Sequence, residues 1–196
     1  VAAAMESKIS QEPDTPAEKP RKIMVIGGGP AGLEFARSAS LRGHHVVLHE
    51  ASSKLGGQVN MAAAAPHRGD IGAITKWLED ELEYLQVDVR FNSLVDIDVI
   101  SAANPDCVVL ATGTTPRADG FQVSVPAAPI QGFDLPHVYN AWEVFGYGRP
   151  VSHDAPAVVF DDTGSFEAIS VADVLMKSGI PVTLVSRFND IGGAIP

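Results

Sequence analysis

The sequence is poor in several residue types that particular kinds of site require. A single cysteine, Cys107, rules out an internal disulfide and cannot by itself hold zinc or an iron–sulfur cluster. Only 14 Lys and Arg stand against 24 Asp and Glu, and the net charge of −10 repels the phosphates of nucleic acids and of anionic lipids. No apolar run approaches the roughly 20 residues of a membrane-spanning helix. We therefore expect a globular, cytoplasmic chain that has neither a nucleic acid nor a membrane as a partner.

Sequence patterns of direct catalysis are also missing. There is no Cys-x-x-Cys pair, no Gly-x-Ser-x-Gly nucleophile turn and no pair of carboxylates at a credible spacing. The histidines His44, His45, His49 and His67 have no carboxylate or cysteine at ligand spacing. We accordingly predict no catalytic residue and no metal site, and we interpret Cys107, inside the run CVVLA, as a buried small hydrophobic residue.

The ends of the chain differ in composition from its middle. Residues 1–20 are rich in Ala, Pro, Glu and Ser and have no apolar period, which indicates a flexible linker. The chain begins with Val rather than Met, and the final DIGGAIP completes no predicted element. We expect the chain to be part of a longer one.

A strand, a glycine-rich turn, a helix and a second strand are predicted in succession. The run KIMVIG, residues 22–27, predicts the first strand, and HHVVLHE, residues 44–50, predicts the second. The helix is predicted from about Ala31 to Leu41, with Gly43 after its end. This order is that of a βαβ unit, in which a crossover helix joins two parallel strands.

Three glycines of this turn match the spacing Gly-x-Gly-x-x-Gly. Gly27 permits a tight turn, Gly29 lets a pyrophosphate approach the backbone, and Gly32 lets the helix pack closely on the strand. The unpaired amides and the positive dipole at the start of the helix favour an anion. Glu50, at the end of the second strand, can accept hydrogen bonds from both hydroxyls of an adenosine ribose and would repel a 2′-phosphate. The combination predicts a dinucleotide or its ADP half as ligand; the alternative is a structural turn that binds nothing.

Motifs after the second strand indicate which dinucleotide binds. Gly56 and Gly57 form a second glycine pair, Gln58 follows it, and ATGTTPR occupies residues 111–117. With GGQVN, P-x-R, VDVRFNS and ATGTTPR in this order, the chain resembles the carboxy-terminal region of the NADH:flavin oxidoreductases related to 2,4-dienoyl-CoA reductase, trimethylamine dehydrogenase and N-methylproline or stachydrine demethylase. The resemblance runs from about residue 22 to residue 187.

This resemblance implies an α/β fold. The expected sheet is Rossmann-like and parallel, of the two-dinucleotide-binding flavoprotein type, incomplete in this chain and followed by part of a second dinucleotide-type βαβ domain. The resemblance implies FAD, or ADP, as the cofactor. Members of the family carry FMN and an iron–sulfur cluster in a barrel domain that this chain lacks, so the expected partner is an FMN-containing barrel domain or subunit. Association into a homo-oligomer is left open.

The resemblance also assigns residues to the cofactor. It implies that Glu50 meets the adenosine ribose and that the backbone of Val95 recognises adenine. Gly57 and Gln58 would lie toward the flavin. Arg68, in P-x-R, would face phosphate or flavin, with a surface salt bridge as the alternative. The predicted cofactor-binding residues are Gly27, Gly29, Pro30, Ala31, Glu50, Ala51, Gly57, Gln58, Arg68, Val95, Ala111, Thr112 and Gly113.

The stretch between the glycine pair and ATGTTPR predicts a helix followed by a strand. Its sequence is GAITKWLEDELEYLQVDVRFNSLVD. Apolar residues recur along one side of the helix, which is typical of a face packed in a core. This predicted core stripe consists of Ile74, Trp77, Leu78, Leu82 and Leu85.

The predicted organisation changes after the first domain, which we bound at residues 21–117. Residues 118–154 contain enough Pro and Gly to form a crossover between domains. A second βαβ unit is predicted in residues 155–196, with strands at 157–162 and 181–187 and a helix from Ser165 to Lys177 between them.

The turn of this second unit lacks the glycine fingerprint. It reads DDTGSFEAIS, where the carboxylates of Asp161 and Asp162 disfavour a pyrophosphate, and the side chains of Phe166 and Glu167 obstruct its approach. Arg187 lies where a 2′-phosphate would be recognised. We therefore predict a degenerate NAD(P)-type domain.

Three functional hypotheses follow. The first is an FAD-binding portion of a flavin-dependent oxidoreductase that exchanges electrons with an FMN barrel, without catalytic competence as an isolated chain. The second is a non-redox scaffold or subunit-interface domain that retains ADP as a structural ligand. The third, a short NAD-binding enzyme domain, is disfavoured by the second glycine pair and the ATG motif.

Overall fold

The computed structural model describes residues 15–152 and 154–195, so that residues 1–14 of the predicted linker lie outside the described residues. The strands and helices, in chain order, are β1 (Lys22–Ile26), α1 (Pro30–Leu41), β2 (His45–His49), α2 (Gln58–Ala64), α3 (Ala73–Tyr84), β3 (Asp88–Arg90), α4 (Ile97–Ala103), β4 (Cys107–Leu110), α5 (Ala141–Val144), β5 (Ala157–Asp161), α6 (Phe166–Lys177) and β6 (Val182–Ser186). They form two compact units, residues 15–60 with 71–113, and residues 61–70 with 114–195. Residues 61–70, inside the first predicted domain, thus group with the second unit.

The first unit contains the predicted parallel sheet. Its strand order is β3-β2-β1-β4, and each neighbouring pair is parallel. In the register, Val25 of β1 lies opposite Leu48 of β2 on one side and Val109 of β4 on the other. The helix α1 starts one residue earlier than predicted, because Pro30 occupies its first position, where a missing amide hydrogen costs nothing. The α/β, Rossmann-like prediction is confirmed.

The core of this unit lies between the sheet, α1 and α3. Val25 of β1, Leu33 and Ala36 of α1 and Leu48 of β2 are 0 % exposed, and Leu82 of α3 is 1 % exposed. Burying one such aliphatic side chain contributes about 1.5–3 kcal/mol relative to leaving it in water. The core therefore holds β1, and with it the start of the glycine turn, in a fixed position.

The predicted core stripe of α3 is only partly correct. Leu78 and Leu82 are buried, but Ile74 and Trp77 are 44 % and 46 % exposed, and Thr75 is buried instead. The buried face of α3 is formed by residues 75, 78 and 82, and positions 74 and 77 lie at the edge of this face. Trp77 lies instead beneath the guanidinium of Arg37, 5.2 Å from the ring centroid.

Three short α-helices were not predicted from the sequence, one of which, α5, lies in the predicted crossover. The helix α2 begins at Gln58, directly after the second glycine pair. The helix α4 follows Asp96, whose side chain accepts hydrogen bonds from the amides of Asp98 and Val99. An acidic cap before an apolar run is a signal that identifies α4 in retrospect.

The second unit contains the predicted second βαβ segment. The strands β5 and β6 are parallel, with Val159 opposite Leu184, and α6 joins them. Val159, Val171, Leu175 and Ile180 form its buried core. The strand β5 ends at Asp161 rather than at residue 162, and α6 starts after its cap, Ser165, as expected.

Candidate nucleotide-binding site

The first turn is closed by contacts that only glycine permits. Gly27 has a φ of 109°, and its amide donates to the carbonyl oxygen of His49 at 2.8 Å. A Cβ atom at Gly27 would overlap the carbonyl oxygen of Ala111, and a Cβ atom at Gly32 would overlap the carbonyl oxygen of Gly27. The packing of the chain itself therefore requires both glycines, whatever the turn binds.

Gly29 is different from these two glycines. It is the N-cap of α1, with a φ of −77° and a ψ of 175° that any residue can adopt. A Cβ atom at Gly29 would meet nothing within 4 Å, so the packing of the described residues gives no reason for a glycine there. The open space beside this backbone fits the close approach of a ligand, which a side chain would fill.

The amino-terminal end of α1 is open to an anion. Gly29 makes no side-chain cap, Pro30 follows it, and the first turn, in the described part of the chain, contains no acidic residue. Ala31 is exposed. Because the first amides of a helix have no intrahelical acceptor and carry a partial positive charge, this end is suited to a phosphate group.

Glu50 directly follows β2 and faces the same turn. Its Oε2 accepts a hydrogen bond from the amide of Gly28 at 2.7 Å, and its Oε1 accepts one from the amide of Ser52 at 2.8 Å. Burial raises the pKa of the Glu50 carboxyl, but the hydrogen bonds from Ser52 and Gly28 outweigh it and leave the pKa below its ordinary value. Glu50 is therefore ionised at neutral pH, with lone pairs left to accept further hydrogen bonds.

The second glycine pair lies against the first turn. The amide of Gly56 donates to the carbonyl oxygen of Gly28 at 2.8 Å, and a Cβ atom at Gly57 would lie 3.2 Å from the Cα atom of Gly29. A Cβ atom at Gly113 would lie 3.3 Å from Nε2 of Gln58. The structure therefore brings together these predicted site residues: Gly27, Gly29, Gly57, Gln58, Ala111, Thr112 and Gly113.

The loop after β3 is joined to the residues around Glu50. The amide of Ser93 donates to the carbonyl oxygen of Glu50, and the amide of Asn92 donates to that of Ser52, both at 2.9 Å. Val95, predicted to recognise adenine through its backbone, is half-buried in this loop, and Ala51 is exposed between Glu50 and Ser52. One edge of the first unit thus presents Glu50, Ala51 and the loop that contains Val95.

Arg68 belongs to the second unit, whereas the other predicted site residues belong to the first. Its guanidinium lies over the ring of Phe166, 4.4 Å from the centroid. In the described part of the chain it forms no ion pair, so the salt-bridge alternative is not what the structure contains. A cation over an aromatic face is an attractive contact in its own right.

The turn of the second unit is filled by its own side chains. Asp161, 1 % exposed, accepts hydrogen bonds from the amides of Thr163 at 3.1 Å and Gly164 at 2.8 Å. The hydroxyl of Ser165 accepts one from the amide of Glu167 at 3.4 Å and thereby caps α6. Three backbone amides of this turn are thus already paired with side chains.

Arg187 and Asp162 are also paired within this turn. Nε of Arg187 donates to the backbone carbonyl oxygen of Asp162 at 2.8 Å and lies 3.4 Å from its Oδ1. The Asp162 carboxylate further accepts hydrogen bonds from Ser124 and from the amide of Val123. Arg187 therefore neutralises a carboxylate of its own turn at the position where we expected recognition of a 2′-phosphate.

Sequence reasoning overlooked one pair of residues beside the candidate site. His49, 2 % exposed at the end of β2, has its Nδ1 2.8 Å from the hydroxyl of Ser93. Its Nε2 is buried and has no hydrogen-bond partner in the described part of the chain. The available signal in the sequence is the position of a histidine between the apolar strand and Glu50.

Other predicted properties can be compared with the described residues. Residues 15–152 and 154–195 contain no group of three His, Cys, Asp or Glu side chains that could hold a metal ion. No helix in these ranges combines the length and apolar character needed to cross a membrane. Cys107 is half-buried on β4 and packs against the core, so its predicted burial is only partly correct.

Comparison with known proteins places this geometry in a family. Over 185 residues the chain is 38 % identical to the N,N-dimethylglycine/sarcosine dehydrogenase of Chromohalobacter salexigens. The aligned region covers 92 % of this chain and 25 % of that protein. It is 35 % identical over 167 residues to the probable N-methylproline demethylase of Rhizobium meliloti, covering 85 % of this chain and 23 % of that protein. The chain spans about a quarter of the length of the curated relatives it matches.

A solved structure shares the fold. The 6-hydroxypseudooxynicotine amine oxidase of Pseudomonas geniculata N1 superimposes with a TM-score of 0.89 at 29 % identity, over 97 % of this chain and 29 % of that chain. The resemblance predicted from the motifs is confirmed, and the chain is a nucleotide-binding, Rossmann-type domain of a flavoprotein family whose members are named as oxidoreductases. Residues 8–133 match the family described as pyridine nucleotide-disulphide oxidoreductase, and the chain belongs to this family.

Proposed function

We propose that the first unit binds FAD and that the protein uses it to exchange electrons with an FMN-containing barrel domain or subunit. The observation that supports this most directly is Gly29, a glycine that the described packing does not require, at the uncapped start of α1. Its open surroundings match the space that a pyrophosphate needs.

In this proposal different residues around the turn bind different parts of the nucleotide. The amino-terminal end of α1, with Gly29, Pro30 and Ala31, binds the pyrophosphate, and Gly57 leaves room beside it. The Glu50 carboxylate accepts hydrogen bonds from the ribose hydroxyls. Its negative charge disfavours a nucleotide with a 2′-phosphate.

The remaining residues hold the two ends of the cofactor. The loop that contains Val95 would contact adenine, while Gln58, Ala111, Thr112 and Gly113 would lie along the nucleotide toward the flavin. FAD supplies electron transfer through its flavin ring, and the residues of this chain bind and orient it. Arg68 is the remaining residue proposed to face phosphate or flavin, and its guanidinium lies over the ring of Phe166.

A second candidate function is a scaffold that retains ADP as a structural ligand. It is favoured by one observation: the clearest features of the site, the open end of α1 and the ionised Glu50, are suited to the ADP half of the nucleotide. In that case the protein would bind the nucleotide without electron transfer.

The first experiment identifies the bound nucleotide. The purified chain is denatured, and the released material is analysed by chromatography and mass spectrometry. FAD, together with a yellow colour that reductant bleaches, supports the electron-transfer function; ADP from colourless protein supports the scaffold. If no nucleotide is released and neither FAD nor ADP binds on addition, both proposals are wrong.

The second experiment tests the site through Gly29→Val. Because no atom of residues 15–152 or 154–195 outside the neighbouring positions lies within 4 Å of a Cβ atom at Gly29, the variant should fold, while its side chain fills the space of the pyrophosphate. We expect calorimetric affinity for ADP to fall about 100-fold, equivalent to about 2.7 kcal/mol, with a thermal midpoint within a degree or two of wild type. Gly69→Val is the matched control, since a Cβ atom at Gly69 also meets nothing within 4 Å. Equal ADP affinity in wild type and Gly29→Val would contradict the proposed site.

A further inference from the structure

We propose that His49 and Ser93 form a positioning pair that orients the loop of residues 91–95 and so sets the selectivity of the site for adenine. This inference rests on the proposed nucleotide-binding function. It goes further by assigning base selectivity to a contact between two side chains, neither of which is expected to touch the nucleotide.

The loop needs such a contact because little apolar burial holds it. Phe91 is 45 % exposed and Leu94 is 83 % exposed, so side-chain packing contributes little to its position. Its backbone is attached through the amides of Asn92 and Ser93, and Asn92 has a φ of 51°. The orientation of the loop therefore depends on a few polar contacts.

The contact between His49 and Ser93 is the side-chain contact among them, and it is made by a buried histidine. The ring of His49 is 2 % exposed, and Nδ1 lies 2.8 Å from the hydroxyl oxygen of Ser93. A hydrogen bond in such surroundings is stronger than one exposed to water. It joins the loop to β2, an inner strand of the sheet with partners on both sides.

The ring is neutral at neutral pH. Burial lowers the pKa of the His49 imidazole, Arg90 lowers it further, and Asp88 acts in the opposite direction. With the proton on Nδ1, the ring donates to Ser93, and the buried Nε2 is left as an unpaired acceptor rather than as an unpaired N–H.

Residue 49 also connects the two halves of the site. Its carbonyl oxygen accepts the amide of Gly27, in the phosphate turn, at 2.8 Å, whereas its side chain holds Ser93. A substitution at position 49 keeps the backbone bond and removes the side-chain contact. Base recognition should therefore change without an equal change in pyrophosphate binding, which distinguishes positioning from a general loss of stability.

The test measures affinities of the chain for ADP, GDP and inorganic pyrophosphate by calorimetry in wild type and variants. In His49→Leu and Ser93→Ala we expect the preference for ADP over GDP to fall about tenfold, as one hydrogen bond is lost. Pyrophosphate affinity should stay within about twofold of wild type. His49→Asn, whose side-chain amide can donate from the δ position to Ser93, should restore most of the preference.

A double variant provides a further check. If the two side chains act only through each other, His49→Leu combined with Ser93→Ala should show the same ADP preference as either single variant. Should His49→Leu fail to fold, Ser93→Ala and His49→Asn still decide the question, because each leaves the other partner of the pair in place.

Each outcome has a defined meaning. An unchanged ADP to GDP ratio in Ser93→Ala and His49→Leu overturns the inference. A parallel loss of affinity for ADP, GDP and pyrophosphate also overturns it, because that is the result of a purely structural role. If wild type binds ADP and GDP equally, the inference is wrong and the proposed function survives. If wild type binds none of the three, both are wrong.

Discussion

The chain contains two strand–turn–helix segments of the same order whose turns are opposite in character. In the first, β1 leads to the N-cap Gly29, and no side chain within the described residues caps α1. In the second, β5 leads through a turn that is one residue longer to Ser165, which caps α6. Asp161 pairs two further amides of that turn. The same backbone topology is thus open to an anion in one unit and filled by side chains in the other.

The residue that follows the second strand also differs in charge between the two segments. Glu50, after β2, accepts a hydrogen bond from the turn amide of Gly28, whereas Arg187, after β6, donates to Asp162 of its turn. The acid leaves the start of α1 without a side-chain cap from the described residues, and the base neutralises the second turn's own carboxylate. The fold supplies the position, and the residue types decide whether a ligand can use it.

The largest expected effect comes from substitutions at the starts of α1 and α6. Gly32 and Ala168 both occupy the third position of their helices. A Cβ atom at Gly32 would overlap the carbonyl oxygen of Gly27, so Gly32→Ala should destabilise the protein by about 3 kcal/mol. The reciprocal Ala168→Gly should lose only about 1 kcal/mol, mainly through helix propensity. Urea unfolding checks both, and equal losses would contradict the different packing of the two turns.

The next effect concerns the filled turn. Asp161→Ala would leave the buried amide of Gly164 without an acceptor, together with the amide of Thr163, at a loss of about 2 kcal/mol. Asp161→Asn keeps an acceptor oxygen and should recover part of this stability. Urea unfolding measures the change, and calorimetry with ADP serves as the control, since affinity should not change. An Asp161→Ala variant as stable as wild type would show that the carboxylate does not hold the turn.

A smaller effect is expected when the N-cap of α1 is changed to serine, the residue that caps α6. A serine at an N-cap accepts a hydrogen bond from the helix's own amides, as Ser165 does in α6. Gly29→Ser should therefore raise stability by a few tenths of a kcal/mol while lowering ADP affinity about tenfold, or about 1.4 kcal/mol. Thermal unfolding and calorimetry measure the two changes. If stability and affinity fell together, misfolding rather than competition for the amides would be the cause.

The sequence was sufficient to predict the first turn because its requirements are local. A glycine at each of three fixed positions, an apolar strand before them and an acid after the next strand identify the unit without further information. The structure adds that Gly27 and Gly32 are required by contacts with backbone carbonyl oxygens, whereas Gly29 is not. The spacing motif alone does not distinguish these two roles.

The features that were missed depend on contacts between distant parts of the chain. The guanidinium of Arg37 lies over the ring of Trp77, and that of Arg68 lies over the ring of Phe166, although neither pair is adjacent in sequence. The pairing of His49 with Ser93 joins residues far apart in sequence. Periodicity and turn chemistry describe neighbours along the chain, so such contacts are beyond them.

The smallest expected effect is a difference in the pH at which His49 and Asp162 lose their contributions to stability. The folded-state pKa of His49 is lowered by burial, so as the pH falls the unfolded chain binds the proton first, and stability declines below about 6.5. Burial raises the pKa of Asp162, but hydrogen bonds from Ser124 and Val123 and the charge of Arg187 outweigh it. Its contribution is therefore lost only below about 4.

Urea midpoints between pH 7.5 and 3.5 distinguish the two contributions. We expect His49→Asn, which does not titrate in this range, to flatten the decline below pH 6.5 and to leave the decline near pH 4 in place. His45→Asn, at an exposed position of the same strand, is the control for removing an imidazole from β2. A His49→Asn profile that coincides with wild type throughout would mean that the buried imidazole does not couple protonation to the folding of the first unit.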